Sequence, residues 1–198
     1  MEITKKQSHR HVLIFIIAVL LLAAVIVCLF LSGYLGLWVN GLSSVAGNLN
    51  RYYYLQNSIE EECSFTIDLK NLESNTDKVI YQNEDCYIEI QNIDLLSNGQ
   101  YQIHFRSHGI YNIHGATLIS GVVHYTNPNH SSSYSVEADL CCYINENYYL
   151  CEIAGVSAIN WKDGDSFGYY IPVEAITEES QTLTMTLSNL TKNIWYEK

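Results

Sequence analysis

The sequence predicts an all-β fold, a β-sandwich or jelly roll, carried behind a single N-terminal transmembrane helix. Three observations predict it. From Cys63 onward, apolar and polar residues alternate with period two. Turn signals such as Asn98-Gly99, Asn127-Pro128-Asn129, Asn145-Glu146-Asn147 and Asp163-Gly164 break these runs into short pieces. Near the N-terminus, one uncharged stretch is long enough to cross a bilayer.

That stretch comes first in the chain. Val12 to Leu31 reads VLIFIIAVLLLAAVIVCLFL, 20 residues whose only polar side-chain atom is the thiol of Cys28. At about 1.5 Å per residue it spans a hydrocarbon core of about 30 Å. No Asp, Glu, Lys or Arg occurs in the 40 residues between Arg10 and Arg51. Tyr34 and Trp38 follow at a spacing that suits the far interface, where amphipathic rings settle. A cleaved signal peptide would have an apolar region of only about 7–15 residues and a small-x-small cleavage site. This run is longer, and no Ala-x-Ala follows it. The expectation is therefore an uncleaved signal-anchor with the lipid bilayer as partner through Val12–Leu31. Lys5, Lys6 and Arg10 precede it, which keeps the N-terminus cytoplasmic. The chain then divides into a cytoplasmic tail (1–11), a transmembrane helix (12–31), a stalk (32–62) and an extracellular β domain (63–198). It is expected at the cell membrane as a single-pass type II protein. Within the stalk, Leu49, Tyr52, Tyr53, Leu55 and Ile59 fall at rough 3–4 spacing and predict a short helix over 48–62.

The β domain is read from its alternation. Phe65, Ile67 and Leu69 alternate with polar residues, as do Ile88 and Ile90, and Tyr101, Ile103 and Phe105. Tyr134, Val136, Ala138 and Leu140 form another such run, and Leu183, Met185 and Leu187 a last one. Each pattern buries one face and wets the other, as antiparallel sheets do. Eight or so short strands of this kind predict a sandwich or jelly roll.

Charge narrows the function. From Arg51 onward there are 7 basic against 20 acidic residues, a net −13. Such a domain has no basic stripe with which to hold phosphate backbones, so no nucleic-acid partner is expected. Five cysteines lie outside the membrane segment, in a location that permits disulfides. Cys141 or Cys142 with Cys151 is one candidate pairing, across a hairpin around residues 145–147. Cys63 with Cys86 is another, and the odd number leaves at least one thiol over. Asn129-His130-Ser131 and Asn189-Leu190-Thr191 match the N-glycosylation pattern, making Asn129 and Asn189 candidates.

No catalytic constellation emerges. His104, His108, His114, His124 and His130 cluster without ligand spacing, and read as solvent-facing or interface side chains. Asp163-Gly164-Asp165 resembles part of a calcium loop but lacks the closing Glu. The expectation is a non-enzyme with no metal and no cofactor.

One segment is more specific. Gly99-Gln100-Tyr101-Gln102-Ile103-His104-Phe105 is followed by Gly109-Ile110-Tyr111-Asn112-Ile113-His114. It resembles the central strands of the tumour necrosis factor ligand family, where an alternating strand runs into a Gly-Leu/Ile-Tyr-x-Val/Ile-Tyr opening. His114 stands where a second aromatic is usual. Gly155-Val156 followed by Trp161-Lys162-Asp163-Gly164-Asp165 is similar to that family's Gly-Val … Leu-x-x-Gly-Asp run, with Trp161 in place of Leu. The last strand here lacks the family's usual Phe-Gly.

The resemblance implies a jelly-roll ectodomain and a cytokine-like ligand that binds and clusters a cell-surface receptor as a homotrimer. It implies receptor contacts at the loop between the strands ending near Tyr143 and starting near Leu150, hence at Asn147, Tyr148 and Tyr149. It also implies aromatic trimer contacts, for which Tyr111, Tyr169 and Tyr170 are candidates. The alternative expectation is a membrane-anchored β-sandwich adhesion or accessory protein of a bacterial envelope or virus, without receptor clustering.

Overall fold

The computed structural model describes residues 2–127, 131–144, 147–176 and 181–198. Three helices open the chain: α1 (Glu2–Leu31), α2 (Tyr34–Asn40) and α3 (Leu42–Ala46). Strands follow: β1 (Tyr52–Ser58), β2 (Cys63–Asp68), β3 (Lys78–Asn83), β4 (Cys86–Leu95) and β5 (Tyr101–His108). Next are β6 (Ile110–Asn112), β7 (Gly115–Ser120), β8 (Val122–Thr126), β9 (Ser132–Val136) and β10 (Asp139–Ile144). The last are β11 (Asn147–Leu150), β12 (Glu152–Val156), β13 (Ser166–Ile171), β14 (Thr182–Ser188) and β15 (Thr191–Glu197).

All the strand pairs are antiparallel, and the chain is mostly strand. They form sheets ordered β11-β10-β14-β2, β12-β13-β5-β4-β3 and β1-β15-β7-β6, with β8-β9 as a separate ribbon. The first two sheets face each other across one large core, the arrangement of an all-β sandwich. Phe65 of one sheet meets Phe105 of the other edge to face, with ring centroids 5.9 Å apart. Phe105 in turn lies 5.3 Å from Phe167. The alternation read from the sequence supplies these side chains directly. Phe65, Ile67, Ile103, Phe105, Met185 and Leu187 all point inward and are buried.

Two local details differ from expectation. The Asn98-Gly99 turn is present, with Gly99 at φ +83°, but it sits in a longer loop closed by Leu96 N–H to the Gln100 carbonyl at 2.8 Å. The run Tyr134 to Leu140 is not one strand. Glu137 and Ala138 both donate backbone N–H groups to the Gly121 carbonyl, and this bend divides β9 from β10.

The segment 32–62 is not a free stalk. In α3, Leu42, Val45 and Ala46 are buried against Ala116, Leu118 and Trp195, forming a second, smaller core beneath the β1-β15-β7-β6 sheet. Gly41 permits this docking. Its φ is +59°, and a Cβ there would stand 2.0 Å from the Lys162 carbonyl oxygen. That same oxygen accepts the Leu42 N–H at 2.7 Å. The helix expected over 48–62 is instead β1, paired along its whole length with β15 from Tyr52↔Glu197 to Ser58↔Thr191. Tyr52, Tyr53 and Tyr54 favour strand, and the open edge of β15 offered a ladder that outweighed a weak helical spacing.

Among the described residues α1 is the one helix long and apolar enough to cross a membrane, over His11–Leu31. None of that span is buried against the rest of the chain.

Candidate binding surface

The hairpin β10–β11 carries the residues expected to meet a receptor. Its ladder pairs Tyr143 with Tyr148, Cys142 with Tyr149 and Cys141 with Leu150. Alternation sends Cys142 and the half-buried Tyr149 toward the large core, and Tyr143, Tyr148 and Leu150 outward. The outward set is notably bare. Tyr148 is 65% exposed, Leu150 60%, and Ile153 of the adjoining strand 54%. Asn147 is exposed at the start of β11.

Topology explains why these side chains cluster. β11 is the end strand of one sheet and β12 the end strand of the other, and only Cys151 separates them in the chain. Among the described residues neither strand has a ladder partner on its outer edge, and the two edges adjoin at Cys151 to form one flank. An open groove of about 600 Å³ runs along it, lined by Leu150, Ile153 and Ala138 with Glu137, Asp139 and Glu152. Edges of this kind pair readily with another chain unless they are blunted. The acids supply some protection, and they also give the groove a negative rim.

Beneath the aromatic layer sit thiols. Cys141 is buried beside Tyr148, and the neighbouring thiol, with burial added, pushes the Tyr148 phenol up to about 12. Cys142 turns the other way and stands 3.7 Å from Cys151, sulfur to sulfur. The Cys151 thiol donates to Cys142, which holds Cys142 below the ordinary thiol range. Giving that bond, together with burial, raises Cys151. Of the two pairings left open, the structure thus brings Cys142 and Cys151 together. Cys63 and Cys86 are not brought together: Cys63 donates to the Ile80 carbonyl and Cys86 to the Thr117 carbonyl at 3.6 Å.

The aromatic candidates for a trimer contact separate. Tyr111 lies half-buried at the rim of the small core, and Tyr170 is half-exposed on β13. Tyr169 is a correction. It is buried, with its hydroxyl donating to the Ala138 carbonyl at 2.6 Å, so it is a core residue of the protomer. Asn189 is exposed in the turn between β14 and β15, where its amide donates to Asp139 at 2.8 Å. Asn129 lies outside the described residues, as does His130.

Two histidines expected in solvent are buried instead. His108 bonds Asp163 through Nδ1 at 2.7 Å and Glu89 through Nε2 at 2.9 Å, and stacks on Tyr87 with centroids 4.2 Å apart. Arg106 also donates to Asp163, at 3.0 Å. Burial alone would raise the Asp163 carboxyl. The bonds and charges of His108 and Arg106 outweigh it and hold Asp163 below the usual carboxylate range. His124 bonds the fully buried Asp165 at 2.6 Å, and Ser120 donates to the other oxygen of that carboxylate at 2.8 Å. Gly164 lets this loop lie on β5, since a Cβ there would stand 1.8 Å from the Ser107 carbonyl oxygen.

These groups do not form a nucleophilic relay. Ser120 and His124 are each bonded to Asp165, whereas a relay needs the serine hydroxyl on the imidazole. Their partners are 19 to 57 residues apart in sequence, so no local motif announces them. Of the others among the described residues, His114 is exposed and bonds Glu197 at 2.9 Å, and His104 is half-buried, its burial lowering the imidazole. No group of three metal-ligating side chains occurs among the described residues.

No family model, curated protein or solved structure matches this chain.

Proposed function

We propose that this chain is a membrane-anchored ligand whose β domain presents the β11–β12 flank to a cell-surface protein. The observation that carries the reading is the concentration of Tyr148, Leu150 and Ile153, all more than half exposed, on two adjoining strand edges without a ladder partner among the described residues. Exposed aromatic and aliphatic side chains with a charged rim are the anatomy of a protein interface. The acidic rim favours a partner with a basic patch, chiefly by speeding encounter.

Anchoring is supported by α1. A helix apolar on every side needs an apolar environment, and the rest of the chain does not cover it. The positive-inside rule would then place the β domain on the extracytoplasmic side. There Cys142 and Cys151 would be free to join, and Asn189 to be modified.

The finer reading, taken from the tumour-necrosis-factor-like motifs, is a jelly roll that clusters receptors as a homotrimer. Pairing of the first and last strands, β1 with β15 and β2 with β14, suits a jelly roll. β13 continues the β3-β4-β5 meander beside β5, whereas a Greek key would return it beside β3, and this favours a plainer sandwich. An adhesion or accessory protein would use the same flank without clustering.

The test uses the full chain in lipid nanodiscs against a panel of receptor ectodomains. We expect a binder whose affinity falls about tenfold or more, at least ~1.4 kcal/mol, with Tyr148→Ala or Leu150→Asp. Tyr148→Ala should leave folding stability within about 0.5 kcal/mol, as an exposed substitution. Binding indifferent to both variants would remove the flank from the proposal. Mass photometry of the detergent-solubilised chain separates the finer readings: three copies favour the clustering ligand, one copy the adhesion protein.

A further inference from the structure

We propose that the β domain lies directly on the bilayer, its base seated among phospholipid headgroups, and does not stand off on a stalk. The inference rests on α1 being the membrane anchor.

The geometry leaves little slack at the exit from α1. Only Ser32 and Gly33 separate α1 from α2. The Ser32 carbonyl accepts a bond from the Arg51 guanidinium at 2.9 Å. Arg51 is at once tied to the end of the chain, through Glu197 at 3.1 Å and through its own carbonyl, which accepts the Lys198 N–H at 2.9 Å. Six residues further along, the Trp38 carbonyl accepts the Lys162 ammonium at 2.9 Å. The helix exit, the last strand and the loop that holds Asp163 therefore meet at one end of the domain. If Leu31 is at the edge of the hydrocarbon, these residues are in the headgroup layer.

Their chemistry suits that layer. Trp38 is 74% exposed, and Tyr34 and Tyr53 are about half exposed. Indole and phenol rings settle at such interfaces, apolar body inward and polar tip in water. The charges are also unlike the rest of the domain. Four of its seven Lys and Arg residues, Arg51, Arg106, Lys162 and Lys198, gather at this end of a segment with net charge −13. Arg51 and Arg106 are matched by Glu197 and Asp163. Among the described residues Lys162 and Lys198 have no carboxylate partner, and each lies over an aromatic ring, at 6.0 Å from Trp38 and 5.1 Å from Tyr53. An open cleft of about 320 Å³ between Tyr34, Trp38, Tyr111 and Lys162 gives a phosphate group a place beside the Lys162 ammonium. Elsewhere an acidic surface is repelled by phosphates; here it is not.

The test places the full chain in phosphatidylcholine nanodiscs, with and without lipids spin-labelled at the headgroup, and reads tryptophan quenching. Trp161 stacks against Arg106 at 4.3 Å and reports on the base, whereas Trp195 is buried in the small core and serves as an unquenched reference. The Trp161 contribution is the difference between the parent and Trp161→Phe. We expect labelled lipid to remove at least half of it. The double variant Lys162→Glu, Lys198→Glu should stay in the disc and lose most of that quenching, with its near-ultraviolet circular dichroism unchanged. A chain that remains in the disc with Trp161 unquenched overturns the seated base but leaves the anchor intact. A chain that fails to co-purify with discs overturns the anchor, and the seated base with it.

Discussion

The molecule has two hydrophobic cores of unlike construction. The large one is built by strands alone: two sheets supply alternating side chains, and Phe65 of one meets Phe105 of the other, itself packed on its sheet neighbour Phe167. The small one is a joint. Leu42, Val45 and Ala46 of a five-residue helix press on Trp195, Leu118 and Ala116 of a sheet that would otherwise face water. The first core makes the domain, and the second fastens it to the segment leaving α1. The two should therefore fail differently.

The largest effect is expected in the large core. Phe105 is wholly buried and touches rings of both sheets, so Phe105→Ala should cost about 3–5 kcal/mol through lost burial and a cavity. Urea titration followed by tyrosine and tryptophan emission would show it as a shifted midpoint of one global transition. A loss below ~1 kcal/mol would mean that the two sheets do not share a core.

Leu42→Ala tests the joint. Leu42 is also fully buried, but its cluster is small and bordered by half-buried side chains that can close in. We expect about 2–3 kcal/mol, at the low end for such a change. The loss should be local. Amide hydrogen exchange should quicken in 34–58 and in β15 while β4 and β5 keep their protection. Equal loss of protection in both regions would show that the cores are one cooperative unit.

How far each core could be read from the sequence follows from the same contrast. Period-two alternation is a local signal, and it placed Phe65, Ile88, Ile103, Met185 and Leu187 in the large core correctly. The same parity sorts the paired tyrosines of β13. Tyr169 shares parity with Phe167 and Ile171, and so must point inward, while its neighbour Tyr170 points out. The small core has no such signature. The uncharged run 32–50 shows only that charge is scarce there, which fits a stalk as well as a docked helix. What decides is the fit of Leu42 to a sheet assembled from residues 52 to 58 and 110 to 197, which no local window contains. The candidate flank is legible in part. Tyr148 and Asn147 are exposed, but they lie in β11 and not in the loop that the resemblance implies. Ile153 and the neighbouring edge of β12 came only from the sheet order. His108 and His124 looked like surface residues because their carboxylates are distant in the chain.

The smallest effect concerns the loop shared by both cores. The Lys162 carbonyl holds Leu42 of the small core, and the next residue, Asp163, holds His108 and Arg106 at the end of β5 beside the large one. Asp163 has a carboxyl held below its unfolded value. Its contribution is therefore complete above the unfolded pKa, about 3.9, and is lost as the pH falls through the lower, folded value. Because a third of the side chain is open to water, the effect should be smaller than either core substitution. The check is the stability of the parent and of Asp163→Asn at neutral pH and in acid. Their difference should be largest near neutrality and shrink below about pH 4. A gap that widens in acid would mean that Asp163 carries no favourable charge interaction. If acid instead frees residues 34–58 first while β4 and β5 stay protected, the 157–165 loop is the hinge through which one core can loosen without the other.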